Sequence, residues 1–216
     1  MPEPATDLAL CLIEPGLWVE ATGRTDWPAG KPALFLDRDG TINVDTDYPS
    51  DPDEIVLREE IVEIISAGNE ADIPVVVATN QSGIARGYFG WPEFAAVNGR
   101  VLDLLAVRGC GIDLVIACAY HESGQRILAI PDHPMRKPNP GMLFLARDRL
   151  GLALSRSLMV GDKPSDMEAA WRAGLSTGFL IGHDPVDFSG FSVRKLETDA
   201  DHRALVKTIA ALRHTA

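Results

Sequence analysis

The stretch Ala33-Leu34-Phe35-Leu36-Asp37-Arg38-Asp39-Gly40-Thr41 constrains this chain more than any other. An apolar run without polar interruption reads as a strand buried on both faces, and its carboxyl end delivers two carboxylates one residue apart. Open α/β sheets carry their chemistry at that end of their strands. Gly40 lets the backbone turn, so that Asp39 can come back toward the volume that Asp37 faces. Two acids so close repel unless a positive charge joins them or one keeps its proton, and a divalent cation with hard oxygen ligands, Mg²⁺, suits the pair. Asp37 then serves as a carboxylate nucleophile toward phosphorus. Asp39 serves as acid to the leaving oxygen and base to the attacking water.

Other strand ends add the rest of such a site. A Val-rich strand over 73–78 ends in Thr79-Asn80-Gln81-Ser82-Gly83, a hydroxyl and two amides that offer an anion hydrogen bonds without added charge. A strand over 157–160 ends in Gly161-Asp162-Lys163, with Asp166 one helical turn later. Asp162 completes an oxygen cage with Asp37 and Asp39, while Asp166 either orients it or a metal-bound water, or favours the helix N-terminus. Between these strands stands Arg136-Lys137-Pro138. A Lys before Pro is held extended, so its ammonium can be aimed at a carboxylate and a transferring phosphoryl group. Arg136 has the fork geometry to clamp a second phosphate, and Lys163 can reach substrate.

The polar run 42–49 follows the acidic turn directly and reads as a flap over the site, where Asp45, Asp47 and Tyr48 can meet substrate. Helices are expected over 58–70, 91–108, 141–150, 166–173 and 201–213, and further strands over 113–117, 177–181 and 191–196. This alternation predicts an α/β fold with a parallel sheet and helices on both faces. Residues 1–32 are expected to be an extension packed on a single domain, 33–216, with Gly16-Leu17-Trp18-Val19-Glu20 a short edge strand anchored there by its aromatic ring or, less favoured, a contact for a partner.

With 216 residues the chain is long enough for one such domain, and a formal charge of −11 speaks against nucleic acid or an anionic membrane as partner. Cys11, Cys110 and Cys118 have no paired spacing, and the N-terminus shows no basic region leading into a long apolar one. A reduced, soluble, cytoplasmic protein, a monomer or weak homo-oligomer, is expected. Cys118, His121, Asp132 and His133 are chemically able metal ligands, but their spacing is not that of a zinc finger.

Asp37-Arg38-Asp39-Gly40-Thr41, Thr79-Asn80, Lys137 and Gly161-Asp162 resemble the four motifs of the haloacid dehalogenase (HAD) superfamily, in order. Within 33–181, the segments 37–43, 79–87, 136–142 and 161–163 are similar to the D-glycero-D-manno-heptose 1,7-bisphosphate phosphatases and the related histidinol-phosphate phosphatases. The resemblance implies a Rossmann-like HAD fold with a minimal cap or none, and an Mg²⁺-dependent phosphatase acting on a small phosphorylated metabolite, such as a sugar bisphosphate. It implies Asp37 as the nucleophile that becomes the aspartyl phosphate, Asp39 as acid and base, and Mg²⁺ on Asp37, the Asp39 backbone and Asp162. It also implies Thr79 and Lys137 on the phosphoryl group, with Asp45, Tyr48, Asn80, Gln81, Ser82, Arg136 and Lys163 around the substrate. A structural zinc on Cys-x-His and Cys-x-Cys usually accompanies this pattern. Here Cys118 keeps its place while Tyr120, His133 and Met135 stand at the other three, which argues against zinc. A receiver domain is excluded by the order of the motifs. A non-catalytic phosphosugar-binding protein of the same fold is the alternative.

Overall fold

The computed structural model describes residues 8–213. Its strands are β1 (Leu12–Glu14), β2 (Leu17–Ala21), β3 (Leu34–Leu36), β4 (Val75–Asn80), β5 (Leu114–Cys118), β6 (Leu158–Gly161), β7 (Thr177–Ile181) and β8 (Ser192–Leu196). Its helices are α1 (Leu8–Cys11), α2 (Glu59–Glu70), α3 (Ser82–Arg86), α4 (Trp91–Val107), α5 (Gly141–Leu150), α6 (Pro164–Arg172) and α7 (Asp199–Leu212). All eight strands form one sheet in the order β1-β2-β5-β4-β3-β6-β7-β8. From β5 to β8 every pairing is parallel.

The apolar run of β3 accounts for its central place. Leu34 and Leu36 enter the core on one face and Ala33 and Phe35 the core on the other, all without solvent exposure. In β4, Val75 and Val77 alternate with Val76 and Ala78 in the same way. The first core takes its helical cover from Ile61, Ile64 and Ile65 of α2, Phe94 and Val101 of α4, and Leu205 and Ile209 of α7. The second takes it from Met142, Leu143 and Ala146 of α5 and Met167 and Ala170 of α6.

The expected parallel sheet with helices on both faces is extended at one side by an antiparallel part, because β1 and β2 form a hairpin and β2 pairs antiparallel with β5, Trp18 opposite Ala117. The Gly16–Glu20 segment is therefore not the expected edge strand, since β1 lies outside β2. Trp18 is fully buried and stacks on Trp91, with ring centroids 5.8 Å apart. The expected stretch 73–78 also shifts: β4 runs on through Thr79 and Asn80 because Ala117 and Cys118 of β5 remain beside them as partners. The long connections 43–58 and 119–140 contain only turns, isolated bridges and the single 3₁₀ turns Pro52–Glu54 and Arg126–Leu128, so neither inserts a cap domain.

Candidate active site

The sheet order places β3 between β4 and β6, with Leu36 beside Val77 on one side and Val160 on the other. Asp37, Thr79 and Asp162 therefore emerge side by side at the carboxyl ends of neighbouring strands, where the strand order reverses. A cleft of about 480 Å³ opens there, lined by Asp37, Asp39, Thr79 and Lys137 together with the flap residues Asp45, Asp47, Tyr48 and Pro49. Gly40, at φ +84°, makes the turn, and any Cβ there would collide with the Asp162 carboxylate. Gly161 is likewise pressed against Asp166.

The expected nucleophile is held in place from two sides. Asp37 Oδ1 accepts the Arg38 amide at 2.7 Å and lies 3.1 Å from Lys137 Nζ. Lys137, buried in the floor, donates to the Ala78 carbonyl at 2.7 Å and meets Asp166 Oδ1 at 2.6 Å. Burial works against its charge, but Asp166 and Asp37 outweigh that and keep the ammonium protonated. Asp166 does more than favour a helix terminus: it accepts the Lys163 amide at 3.0 Å and supplies Lys137 with a counter-charge.

Asp39 is bound differently. Arg38 grips both its oxygens at 2.9 Å, Gln81 Nε2 donates to Oδ2 at 2.7 Å and Asn43 Nδ2 to Oδ1 at 3.2 Å. Burial alone would raise its pKa, yet the Arg38 charge and these hydrogen bonds hold the carboxyl below its ordinary range. Sequence reasoning missed Arg38 and Asn43. Arg38 is 1% exposed, lies over the Phe94 ring at 4.9 Å, and its position between two acids was the available signal.

The amides expected to meet substrate have partners within the protein. Asn80 exchanges two hydrogen bonds with the Lys137 backbone, at 2.9 and 3.1 Å. Gln81, besides binding Asp39, donates to Thr79 Oγ1 at 3.1 Å. Both line the cleft, as does Ser82, while the task their polar groups perform is to fix Lys137, Asp39 and Thr79. Tyr48, at φ +61°, accepts Arg86 Nη1 at 2.8 Å, and a Cβ at Gly83 would press on its ring. Lys163 reaches from the helix entry toward Asp45 at 3.7 Å and Asp162 at 3.5 Å. Arg136 donates to the Tyr120 carbonyl at 3.2 Å.

The residues fit Mg²⁺. Asp37, Asp162 and Asp166 each offer an oxygen, all within 4.8 Å of one another, and this is the one such metal-ligand group among the described residues. Asp162 Oδ1 is buried without a hydrogen-bond partner, and burial together with the Asp37 charge raises the Asp162 pKa, so a cation between the two carboxylates would relieve both. With Asp166 committed to Lys137, Asp37 and Asp162 are the side chains that would hold the ion. They do not fit zinc near Cys118. Of the four positions only Cys118 and His133 carry a zinc donor, His133 stacks on Tyr120 and accepts the Met135 amide through Nδ1, and His121 accepts the Ser123 amide through Nδ1.

A sheet switch point carrying two strand-end acids, an aimed lysine, a hydroxyl and a third acid defines a phosphoryl-transfer hydrolase of the HAD type. The HAD-hydrolase-like family model matches residues 134–181. The chain is 60% identical over 201 residues to a D-glycero-beta-D-manno-heptose-1,7-bisphosphate 7-phosphatase of Mesorhizobium japonicum, covering 93% of each chain. It is 40% identical over 152 residues to the Escherichia coli K12 protein of that name, 69% of this chain and 78% of that one. A crystal structure described as a HAD-like phosphatase from Mesorhizobium loti superposes with a TM-score of 0.91 at 59% identity, covering 94% of this chain and 97% of that one. The D,D-heptose 1,7-bisphosphate phosphatase of B. bronchiseptica, solved with magnesium and phosphate, gives 0.66 at 29% identity, covering 83% and 98%. The chain belongs to the heptose-bisphosphate phosphatase family of HAD-like hydrolases, and it is a phosphoric monoester hydrolase. Among the described residues no helix is long and apolar enough to cross a membrane.

Proposed function

We propose that the substrate is a sugar bisphosphate of the heptose 1,7-bisphosphate kind, from which one phosphate is removed. The observation that carries this reading is a group of donors beside the phosphoryl cleft that form no ion pair among the described residues. Arg136 and Arg86 have as their side-chain partners the Tyr120 carbonyl, the Tyr48 hydroxyl and the His121 ring, and Arg86 Nε is buried without a partner. His121 Nδ1 accepts the Ser123 amide, so the neutral ring carries its proton on Nε2. That nitrogen faces Arg86 Nη2 at 3.2 Å, donor against donor. Burial and the two guanidiniums lower the His121 pKa, which keeps the ring neutral. An anionic oxygen accepting from Arg86 and His121 would relieve that contact, and a second phosphate, which Arg136 can also grip, supplies it. A phosphate held there leaves the first at Asp37, because Arg136 and Lys137 are neighbours lining the same cleft.

In this reading Asp37 attacks phosphorus in line with the leaving oxygen, while Lys137 and Thr79 bind the transferring group. Bound Mg²⁺ offsets the repulsion between the incoming phosphate and the carboxylates. Asp39, ionised at rest, gains proton affinity when a dianion arrives beside it. It then protonates the leaving alkoxide, and later takes a proton from the water that opens the aspartyl phosphate. Lys163 and Asp45 close over the sugar hydroxyls.

The test is phosphate release from a panel containing heptose and hexose bisphosphates, histidinol phosphate and glycerol phosphates, with Mg²⁺ and with chelator. Selective release from one sugar bisphosphate supports the reading. Equal rates on matched mono- and bisphosphates overturn it. Asp37→Asn should abolish turnover, whereas a phosphosugar-binding protein would keep its ligand affinity.

A further inference from the structure

We propose that the segment carrying Arg136 and Lys137 is held, in place of a metal, by a ring clamp of Tyr120 and His133 fastened to the N-terminal hairpin by Glu14 and Gly16. The rings of Tyr120 and His133 lie 3.9 Å apart at 24°. The Tyr120 hydroxyl donates to Glu14 Oε2 at 3.2 Å, and Gly16 packs so closely that a Cβ there would sit 2.7 Å from ring carbons. The Gly16 carbonyl accepts the Ala119 amide at 2.9 Å, so hairpin and clamp are joined by backbone as well.

On the other side, His133 organises the segment. Its Nδ1 accepts the Met135 amide at 3.2 Å, and its carbonyl accepts the Arg136 amide at 2.8 Å and Asn139 Nδ2 at 3.2 Å. Arg136 returns to the Tyr120 carbonyl at 3.2 Å. A Cβ at Gly141 would collide with the Pro134 carbonyl, so the helix that follows closes tightly on the same segment. Burial lowers the His133 pKa, against the pull of Glu14, which favours the neutral ring that stacks and accepts. The hairpin thus belongs to the site although no residue of it reaches the cleft. Tyr120, His133 and Glu14 are positioning residues, because they act only through Arg136 and Lys137.

This inference rests on the proposed role of Arg136 for its kinetic readout but not for its structural one. Tyr120→Leu removes the stack, and Glu14→Gln weakens only its fastening. In both variants, hydrogen exchange at the Met135 and Arg136 amides should rise, by about tenfold for Tyr120→Leu, while exchange in β3 stays as in wild type. KM for the sugar bisphosphate should rise about tenfold in Tyr120→Leu with kcat within about twofold, the signature of lost binding rather than lost chemistry. Wild-type activity should survive a zinc-selective chelator when Mg²⁺ is present. Unchanged exchange at Met135 and Arg136 in both variants would overturn the clamp, as would loss of activity to that chelator with recovery on adding zinc. Accelerated exchange in a protein whose variants keep wild-type KM would uphold the clamp and refute the role given to Arg136.

Discussion

Lys137 Nζ lies 2.6 Å from Asp166 Oδ1 with neither side chain more than 1% exposed, and the same ammonium reaches Asp37 Oδ1 at 3.1 Å. One cation therefore serves two carboxylates, and its pull on Asp37 depends on what Asp166 takes. Replacing Asp166 with Asn breaks a buried pair from one side, which costs about 3 kcal/mol in such settings. Urea unfolding in the presence of chelator should show a loss of that order. With its competitor gone, Lys137 binds Asp37 more tightly and blunts it as a nucleophile, so kcat should fall while KM changes little. A stability loss under about 0.5 kcal/mol would mean that the pair is not formed.

Gly40 combines a left-handed backbone with contact against the Asp162 carboxylate. Gly40→Ala would add about 1–2 kcal/mol of backbone strain. Its new methyl would also push Asp162 away from Asp37, the two side chains that fit Mg²⁺. The Mg²⁺ concentration giving half-maximal activity should rise about tenfold or more, as for other disturbed metal ligands. An unchanged Mg²⁺ titration would show that Asp162 is not a ligand.

The positions of Asp37, Thr79 and Asp162 were legible because each follows an apolar run, and parallel pairing in register brings those strand ends side by side. Lys137 stands on a loop, and its reach into the same cleft was signalled only by the proline after it. The partners of those residues were not legible. Gln81 and Asn80 read as substrate donors because their side chains carry amides, and only the fold shows those amides engaged with Asp39, Thr79 and Lys137. The segment of β2 was legible as a strand, but its place inside the sheet was not, because its pairing with β5 joins residues about a hundred positions apart. Two helix starts were readable and placed late: Pro164 opens α6, and Thr198 with Asp201 caps α7 through reciprocal bonds.

Gln81 joins Asp39 and Thr79 through one amide nitrogen, at 2.7 and 3.1 Å. Gln81→Leu leaves both oxygens short of a donor inside a buried site and frees the Asp39 carboxylate to drift. General-acid help is worth about 10²–10⁴ in rate, and a mispositioned acid forfeits part of it. The loss should be about a hundredfold for alkyl phosphates, whose leaving group needs a proton, and much smaller for aryl phosphates, whose leaving group does not. Equal losses on the two classes would assign Gln81 to phosphate binding instead.

Asp39 also makes stability depend on pH, and the sign follows from its surroundings. Burial raises its pKa, but Arg38, Gln81 and Asn43 pull it down further, so the folded value lies below the ordinary 3.8. A carboxyl depressed on folding stabilises the native state above its unfolded pKa and loses that contribution as pH falls through its folded value. The contribution is therefore complete at neutral pH and disappears below about pH 4. Asp39→Asn removes it and leaves Arg38 buried over Phe94 without its carboxylate. Unfolding free energies measured from pH 7 to pH 3 should show the variant about 3 kcal/mol less stable at neutral pH, the cost of stripping a buried charge of its partner. The gap should narrow only in the acid limb, as the wild type itself protonates Asp39. A gap that stays constant down to pH 3 would mean that folding does not lower the Asp39 pKa, and a gap that widens as pH falls would mean that burial wins and the carboxyl rests as an acid rather than as a base.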